Sequence, residues 1–365
     1  MQKIRKRKNT GRVTLQDVAK FAGVGSMTVS RALRTPELVS DKLREKINAA
    51  VEELGYIPNS AAGILASGQS RTVAVLIPSL RDNASSVFLQ SLQEALNKNS
   101  YQVVIGSHDY QQKKESEVLS TLLQSNPAAL IVFGAINSES VSNYLKNLDI
   151  PVVSVAGESN HPVTLNIKSN VGDAVNFLTN YMLQKGYKKI GYIGAQMDSK
   201  MQSQQLSGWN RAMLAYNQSA DQSITTPYVA TMDFGRQAIS EMLTRQPELE
   251  AVICSHEMIA LGVIFECQRR LIQIPKMLAI ACVEGTSNCD HIHPSLTSVR
   301  IDYSKMARET AKRLQKWLAD VDCDFVERKE GVVFPYKFEA RQSAWNIIYR
   351  MLITFSWISC LSLSE

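Results

Sequence analysis

The chain contains 365 residues, of which 45% are hydrophobic, 20% charged and 7% aromatic. This composition excludes a fibrous or disordered chain, and the length, about twice that of an ordinary domain, predicts more than one hydrophobic core. The net charge of +6 is uneven: residues 1–70 hold 12 Lys and Arg against 6 Asp and Glu, and the remaining residues hold 28 of each. A basic end on a neutral body favours a module that binds a polyanion.

Residues 1–12 contain six basic side chains, no acid and no apolar run, so we predict a basic, disordered arm and no secretory signal. The six cysteines, at positions 254, 267, 282, 289, 323 and 360, form no C-x-x-C pair. This sparse usage predicts reduced thiols and a cytoplasmic protein, associated with the nucleoid if the basic end binds DNA.

Between Thr14 and Leu54 the apolar residues fall at helical spacing in three short blocks, which predicts a small helical bundle. The apolar face of the first block consists of Leu15, Val18, Ala19 and Ala22. Thr14 followed by Asp17 has the form of a capping box, and Gly23-Val24-Gly25 ends this helix after two turns.

A second helix is predicted to begin near Ser26. Its inward-facing residues are Val29, Ala32 and Leu33, and its outward-facing residues are Met27, Ser30, Arg31 and Arg34. The third block, with Ser40 as its predicted N-cap, aligns Leu43, Ile47, Ala50 and Leu54. Two short helices joined by a glycine-containing turn and braced by a third predict a helix-turn-helix over residues 13–58, although any compact three-helix bundle shows such stripes.

The run VTLQDVAKFAGVGSMTVSR, from Val13 to Arg31, is similar to the corresponding run in the lactose/galactose repressor (LacI/GalR) family, as are Val39-Ser40 and ELGYIPN, from Glu53 to Asn59. The resemblance implies a sequence-specific repressor that binds double-stranded operator DNA as a homodimer, with a tetramer left open. The implied phosphate contacts are Thr14, Thr28, Ser30 and Asn59, and the implied contacts to base edges are Ser26, Met27 and Arg31. Gly25 departs from the usual serine and supplies no side-chain oxygen.

Residues 59–70 resemble the hinge helix and linker of this family, which fold on the operator. The resemblance implies that Ala62 and Leu65 contact DNA and that Leu65 wedges between base steps in the minor groove. Gly63 costs a helix up to about 1 kcal/mol relative to alanine, so we expect the segment to be disordered without DNA. The alternative is a plain linker.

From Thr72 onward, short β-branched runs alternate with stretches of helical length. The runs predicted as buried parallel strands are 73–77, 102–105, 129–133 and 152–155. The alternation of strands and helices is interrupted near Asn170 and then resumes. A second set of strands is predicted at 189–193, 251–254, 278–283 and 294–299. The predicted fold is an all-α helix-turn-helix followed by two doubly wound, Rossmann-like α/β lobes.

The pair of lobes contains no G-x-G-x-x-G or Walker sequence and resembles the periplasmic-binding-protein-like core of the same family. The family fold crosses three times between lobes, which places an effector-binding and dimerisation core at 71–342. Lobe 1 is then about 71–170 plus 301–329, and lobe 2 about 171–300 plus 330–342. The effector is expected between the lobes, beyond the carboxyl ends of the strands.

Four positions match effector-binding positions of the family: Ser79, Phe88, Gln205 and Glu257. Ordinary turn or helix-cap chemistry stays open for each of them, most of all for Ser79 and Phe88. Glu257 stands where aspartate is common and still accepts hydrogen bonds from ligand hydroxyls. Gln205 stands where arginine is common, which removes a cation that could pair with an anionic ligand.

The runs Phe265-Glu-Cys-Gln-Arg269, Ile64-Leu65 and Ser26 to Arg31 resemble the gluconate-responsive branch of the family. The resemblance implies a small sugar-like effector, with gluconate as the candidate. Because Gln205 offers the gluconate carboxylate no positive partner, the identity of the effector stays open.

Other motifs indicate little chemistry. Cys289-Asp-His291-Ile-His293 places three possible metal ligands in five residues, but no second ligand pair accompanies it, so a loop is favoured over a metal site. The sequence lacks G-x-S-x-G and H-E-x-x-H motifs, and we predict neither catalysis nor a cofactor.

Residues 346–365 match nothing in the family, and residues 343–365 are predicted to form an atypical apolar tail. The apolar stretch 351–363 has 13 residues, whereas a membrane-spanning helix needs about 20, so no membrane anchor is expected. Two alternatives to a repressor stay open: a sugar-binding protein of transport type with a nonspecific basic head, and an enzyme. Both predict DNA binding without sequence dependence, whereas a repressor predicts about a thousandfold or greater preference for its operator.

Overall fold

The computed structural model describes residues 13–58, 70–134, 138–157, 163–195, 199–319 and 330–344. The predicted basic arm, the hinge residues Asn59, Ala62 and Leu65, and the apolar stretch 351–363 lie outside the described residues. The chain divides into two compact units, Met1–Ser70 and Arg71–Glu365.

The N-terminal unit contains the three predicted helices: α1 (Leu15–Phe21), α2 (Ser26–Arg34) and α3 (Asp41–Leu54). The capping box is confirmed, because the Thr14 N–H and hydroxyl donate to Asp17 Oδ2 at 2.8 and 2.7 Å, and the Asp17 N–H donates to Thr14 Oγ1 at 3.3 Å. Gly23 has a φ of +62°, a left-handed conformation that glycine adopts without strain, and this lets the chain turn between α1 and α2.

The core of this unit is built from small and branched apolar side chains of all three helices. Its buried members are Val18, Ala19, Ala22, Val29, Ala32, Ile47 and Ala50. The predicted inward faces of the three helices are therefore confirmed, although four of their leucines, Leu15, Leu33, Leu43 and Leu54, are only partly buried at the edge of this core. Ser40 is the N-cap of α3 but makes no side-chain cap hydrogen bond, and a 3₁₀ turn at Pro36–Leu38 was not predicted.

The first lobe of the second unit is an α/β layer structure. Its strands are β1 (Thr72–Ile77), β2 (Gln102–Ser107), β3 (Ala129–Phe133), β4 (Val152–Val155), β5 (Leu165–Ser169) and β11 (Glu330–Phe334), in the order β11-β5-β4-β3-β1-β2. Its helices are α4 (Asn83–Asn97), α5 (Gln112–Leu123), α6 (Glu139–Lys146) and α11 (Tyr303–Ala319). All pairings in this sheet are parallel, as predicted for its central strands.

The second lobe repeats the arrangement. Its strands are β6 (Ile190–Ala195), β7 (Ser223–Thr226), β8 (Ala251–Cys254), β9 (Ala279–Cys282), β10 (Thr297–Ile301) and β12 (Tyr336–Glu339), in the order β12-β10-β9-β8-β6-β7. Its helices are α7 (Val171–Gln184), α8 (Ser199–Ala215), α9 (Met232–Arg245) and α10 (Glu257–Arg269). Strand β12 alone runs antiparallel, along β10. The predicted tandem of doubly wound lobes is confirmed.

Two predicted boundaries are wrong. Glu330–Phe334 pairs in parallel with Leu165–Ser169, so the chain stays in the first lobe through Phe334 instead of entering the second at residue 330. The core also extends past 342, because Ser343 and Ala344 are fully buried. The Ser343 hydroxyl donates to the Ile280 carbonyl at 2.6 Å and accepts from the Thr297 N–H at 2.8 Å, which ties this segment to β9 and β10.

The run predicted as a buried strand at 102–105 is instead an edge strand. Gln102–Ser107 pairs only with β1 among the described strands, and none of its residues is buried. Val103 and Val104 are partly buried against the core clusters on the two faces of the sheet, and Ile105 is exposed, because an edge strand has one neighbouring strand rather than two.

Two helices of the second lobe cross at very short range. A Cβ atom added at Gly262 of α10 would lie 2.0 Å from the Met232 carbonyl oxygen of α9. A Cβ added at Gly235 of α9 would lie 2.2 Å from the Ile259 carbonyl oxygen of α10. The two backbones therefore approach as closely as they do only because both positions lack a side chain.

The second lobe also contains Cys254, Cys267, Cys282 and Cys289, whose thiols are free and buried. Cys323 and Cys360 lie outside the described residues. Among the helices of the described ranges, none combines the length and the apolar character needed to cross a bilayer.

Candidate functional site

The exposed face of α2 is the candidate DNA-reading surface. The Met27 side chain is 78% exposed, and Arg31 and Arg34 are also exposed. Ser26, Thr28 and Ser30 are half-buried on the same helix, while Val29 and Ala32 point into the core. Gly25 is the N-cap of α2 and makes no side-chain cap hydrogen bond, as expected from its lack of a side chain. The helix thus presents one apolar and two cationic side chains outward.

Thr14 is exposed, but its hydroxyl is already engaged. It donates to Asp17 Oδ2 and accepts from the Asp17 N–H, and these bonds hold the first turn of α1. The hydroxyl of Thr14 reaches a phosphate as a donor only by giving up its bond to Asp17. The predicted phosphate contact therefore competes with helix capping.

In the second unit, residues from the carboxyl ends of parallel strands, and from the loops and first helical turns that follow them, surround a cavity of about 410 Å³ between the two lobes. The first lobe contributes Asn83, Ala84, Val87, Tyr303 and Ser304, and the second contributes His256, Glu284, Gly285, Thr286, Ser287, Asn288, Arg300 and Ile301, while Asp302 lines the cavity where the chain crosses from β10 to α11. A smaller cavity of about 30 Å³ is lined by Gln205, Met201 and Ser255 among others. His256 and Glu284 line both cavities and so form the wall between them.

A histidine of the second lobe faces an aspartate of the first across this wall. His256 Nε2 lies 4.0 Å from Asp82 Oδ1. His256 is the N-cap of α10, and its Nδ1 accepts a hydrogen bond from the Met258 N–H at 3.2 Å, which places the proton of the neutral ring on Nε2, toward Asp82. Burial lowers the pKa of His256, and the charges of Asp82 and Glu257 oppose that shift only in part. The ring is therefore a neutral donor at neutral pH.

Glu284 is the second titratable group of the wall. Burial, reinforced by the negative charge of Asp82, raises the pKa of Glu284 to about 8. Its backbone has a φ of +54°, a conformation that costs a residue with a side chain about 1 kcal/mol or more and that concentrates at binding sites. A largely protonated carboxyl group in a polar cavity both donates and accepts hydrogen bonds, as recognition of hydroxyl groups requires.

Of the four residues predicted for effector binding, Gln205 lines one of the two cavities, and Ser79, Phe88 and Glu257 are not among the lining residues of either. Gln205 lines the smaller cavity, and its Oε1 accepts from the Tyr192 hydroxyl at 2.9 Å. Glu257 is 3% exposed, and its Oε2 accepts from the Thr286 N–H at 2.7 Å. Ser79 is buried and accepts from the Arg81 N–H at 3.3 Å. Ser79, Gln205 and Glu257 thus all make hydrogen bonds within the protein.

Phe88, the fourth, is fully buried in the core of the first lobe. Its ring centroid lies 5.0 Å from that of Phe133, which in turn lies 5.8 Å from that of Tyr303. Phe88 therefore supports the cavity wall through two further rings, because Tyr303 lines the larger cavity.

Sequence reasoning did not select Asp82, Glu284 or Arg300. Asp82 and Glu284 follow the strand runs at 73–77 and 278–283, so the rule that sites follow strand ends could have found them. Arg300 stands inside β10 and carries no such signal.

The side chains of the loop Cys289-Asp-His291-Ile-His293 do not converge on one point. Cys289 is buried, Asp290 pairs with Arg341 at 2.6 Å, and both histidines are exposed. Among the described residues, no group of three or more His, Cys, Asp and Glu could hold a metal ion.

Comparison with known proteins agrees with both units. Residues 14–59 match the model of bacterial regulatory proteins of the lacI family, and residues 179–344 match that of the periplasmic binding protein-like domain. The transcriptional regulator GntR of Escherichia coli K12 is 33% identical over 308 residues, which are 83% of this chain and 91% of that protein. The chain belongs to the LacI family. The regulator IdnR of the same organism is 30% identical over 82% of this chain and 90% of its own length.

Solved LacI-family structures share the whole architecture. A LacI-family regulator from Silicibacter pomeroyi is 28% identical, with a TM-score of 0.81 over 92% of this chain and 100% of that one. The lac repressor dimer bound to operator and the anti-inducer ONPF is 21% identical, with a TM-score of 0.79 over 92% and 99%, which shows the fold alone. The protein is thus a LacI-family DNA-binding repressor with a periplasmic-binding-protein-like effector domain.

Proposed function

We propose that this repressor acts as a homodimer on a pseudopalindromic operator and that a sugar acid such as gluconate, bound between the lobes, controls its affinity for DNA. The observation that carries the proposal is the cavity of about 410 Å³, which polar side chains of both lobes line. Its volume is that of a small-molecule site, about 300–1,000 Å³. A ligand that contacts both lobes favours one arrangement of them, and such coupling is typically worth about 1–3 kcal/mol.

On the DNA side, Ser26, Met27 and Arg31 read base edges, while Thr28 and Ser30 contact phosphates. The exposure of Met27 and Arg31 on α2, opposite the buried Val29, supports these roles. Thr14 contributes a phosphate contact only at the expense of its bond to Asp17. Asn59 as a phosphate contact, and Ala62 and Leu65 in the minor groove, stay predictions from sequence resemblance.

On the effector side, His256 and Glu284 contact the ligand, because they line both cavities. Gln205 contacts it from the smaller cavity. Glu257 acts mainly by holding the Thr286 backbone, and with it the loop that lines the larger cavity. Ser79 and Phe88 shape the wall from behind. In this proposal the chain binds its ligand and does not transform it.

The test is fluorescence anisotropy with the upstream region of the chain's own gene and with random duplex, each with and without gluconate. The proposal expects at least about a thousandfold preference for the operator, reduced by gluconate. Specific binding that gluconate leaves unchanged would keep the repressor and reject this effector. Equal, salt-sensitive binding to both duplexes would reject the operator and leave a sugar-binding protein with a basic head.

A point variant tests the reading helix. Arg31→Ala should weaken operator binding about tenfold or more, because a bidentate contact from arginine to a base is worth about 1–3 kcal/mol, and should leave binding to random duplex nearly unchanged. Arg245→Ala, an exposed arginine of α9 in the other unit, controls for the loss of one positive charge. Equal losses on both duplexes would assign Arg31 to phosphate contact instead.

A further inference from the structure

The larger cavity has one permanently positive side chain among the described residues that line it, Arg300. The family position at which a cation is usual carries Gln205. This residue lines the smaller cavity, and its Oε1 accepts a hydrogen bond from the Tyr192 hydroxyl. If the effector is an acid, its negative charge needs a partner when it leaves water, since an unpaired buried charge is strongly unfavourable. Arg300 is where this chain can supply that partner.

Arg300 is held in place by a neighbouring carboxylate. Its Nη2 donates to Glu339 Oε1 at 2.8 Å, across the antiparallel pair of β10 and β12. The other oxygen of Glu339 accepts from Arg341, whose Nε donates to Asp290 Oδ1 at 2.6 Å. This chain of ion pairs orients the Arg300 guanidinium before any ligand arrives. The bond to Glu339 uses one of the five N–H donors of an arginine, and two parallel N–H groups suffice for a carboxylate.

The rest of the cavity suits the hydroxyl groups of the same ligand. Asn83, Asn288 and Glu284 bring amide and carboxyl groups to its walls. Since the pKa of Glu284 is raised to about 8, its carboxyl group is mostly neutral at pH 7 and does not repel an anion. Besides the positive Arg300 on β10, the cavity is lined by the Asp302 carboxylate, whose Oδ1 accepts from the Lys305 N–H at 2.8 Å, and otherwise by neutral hydrogen-bonding groups. Arg300 is thus the group of this cavity that suits the carboxylate of a polyhydroxy acid, and the neutral groups suit its hydroxyls.

We propose that Arg300 binds the carboxylate of the effector and thereby selects sugar acids over the corresponding neutral polyols. This inference rests on the proposed function, in which a sugar acid is the effector. It assigns the charge recognition to a strand residue of the second lobe, in place of the arginine that is absent at position 205.

The experiment is titration calorimetry of the full chain with two ligands that differ at one carbon. Gluconate and sorbitol share their hydroxyl pattern, and sorbitol carries a CH₂OH group where gluconate carries the carboxylate. We expect the unaltered protein to bind gluconate at least tenfold more tightly than sorbitol. Arg300→Gln should lower the affinity for gluconate at least tenfold and change that for sorbitol less than twofold.

A matched control is available on α11. Arg313 pairs with Glu309 at 2.8 Å with side-chain exposures of 33% and 34%, close to the 2.8 Å, 31% and 29% of Arg300 and Glu339. Arg313 does not line the cavity. Arg313→Gln should therefore leave both affinities unchanged, and a common loss in both variants would overturn the assignment.

The outcomes separate the two proposals. Failure of the unaltered protein to bind gluconate would reject the sugar-acid effector itself. Gluconate binding that survives Arg300→Gln would reject only the role of Arg300. Should Arg300→Gln misfold, Arg300→Lys decides: it keeps the charge but not the two-pronged geometry, so gluconate affinity should fall severalfold with sorbitol unaffected. Unchanged gluconate affinity in that variant would contradict the inference.

Discussion

Replacing Glu284 with glutamine should change how the stability of the second unit depends on pH. Glu284 faces Asp82, His256 and Tyr303 in the cleft, and burial together with the charge of Asp82 raises its pKa to about 8 from its ordinary value of 4.5. The folded protein therefore holds a proton that the unfolded chain releases between these two values. The stabilisation is fully present below pH 4.5 and is lost as the pH rises through about 8.

The size of the effect follows from the shift. Each pH unit within the interval changes the free energy of unfolding by about 1.4 kcal/mol per proton, which gives about 5 kcal/mol for the whole interval as an upper bound. Glu284 is only partly buried in the cleft, so screening by water reduces this to about 2 kcal/mol. Glutamine has the shape of the protonated side chain and does not titrate. The variant should match the unaltered protein at pH 5 and be about 2 kcal/mol more stable at pH 9.

The assay is urea unfolding at pH 5, 6, 7, 8 and 9, followed by tryptophan fluorescence, which Trp209 reports from the core of the same lobe. Glu241→Gln, at an exposed position of α9, controls for the loss of one carboxylate and should change stability by less than about 0.5 kcal/mol. A difference between Glu284→Gln and the unaltered protein that stays constant from pH 5 to pH 9 would refute the reasoning. So would a variant that becomes relatively less stable as the pH rises.

Two further predictions concern the second lobe. Gly262→Ala places a methyl group 2.0 Å from the Met232 carbonyl oxygen and should destabilise the lobe by about 2–3 kcal/mol in thermal or urea unfolding, whereas Gly331→Ala, with nothing within 4 Å, should change it by less than about 0.5 kcal/mol. Similar effects of the two substitutions would show that α9 and α10 separate at little cost. The Glu266 carboxylate is buried against Arg269, Arg270 and Ser240, and the hydrogen bond from Arg269 holds its pKa well below the usual range. Glu266→Gln should therefore destabilise the protein at pH 7 by about 1–3 kcal/mol and by much less at pH 3, and an equal loss at both pH values would contradict the ion-pair explanation.

The helix-turn-helix was predictable because its signals are local. Thr14 and Asp17 cap α1 from three residues apart, Gly23 makes the turn, and Val29 and Ala32 repeat at helical spacing. Each of these interactions acts within one or two helical turns, so the residue order already contains it. The same reason explains why the central strands β3 and β8 were found, since both are continuous apolar runs buried on both faces.

The edge strands β7, β11 and β12 could not be predicted from continuous apolar runs. The burial of β7 and β12 is incomplete, and their sequences SITT and YKFE carry no continuous apolar run. For β11, the placement depends on pairing with Leu165–Ser169, more than 160 positions earlier in the chain. A residue order states which segments prefer an extended conformation but not which distant strand completes their hydrogen bonds.

The candidate effector site divides in the same way. Resemblance to the family selected Gln205 and Glu257 from the sequence. It did not predict their hydrogen-bond partners, which are the Tyr192 hydroxyl for Gln205 and the Thr286 N–H for Glu257. Asp82 and His256 face each other because two lobes built from separate parts of the chain close on one cleft. Their proximity is a property of the closed fold, since they are 174 positions apart in the sequence.

By itself, then, the amino-acid sequence determined the three N-terminal helices, the outward face of α2 and the alternation of strands and helices in two lobes, because these depend on contacts between near neighbours. Only the tertiary structure decided that Glu330–Phe334 completes the first sheet, that Ser343 and Ala344 belong to the core, and that Arg300 and Glu284 share one cavity. Those features arise from contacts between segments far apart in the chain. Such contacts stabilise the protein only once the lobes have packed, so the order of residues alone does not reveal them.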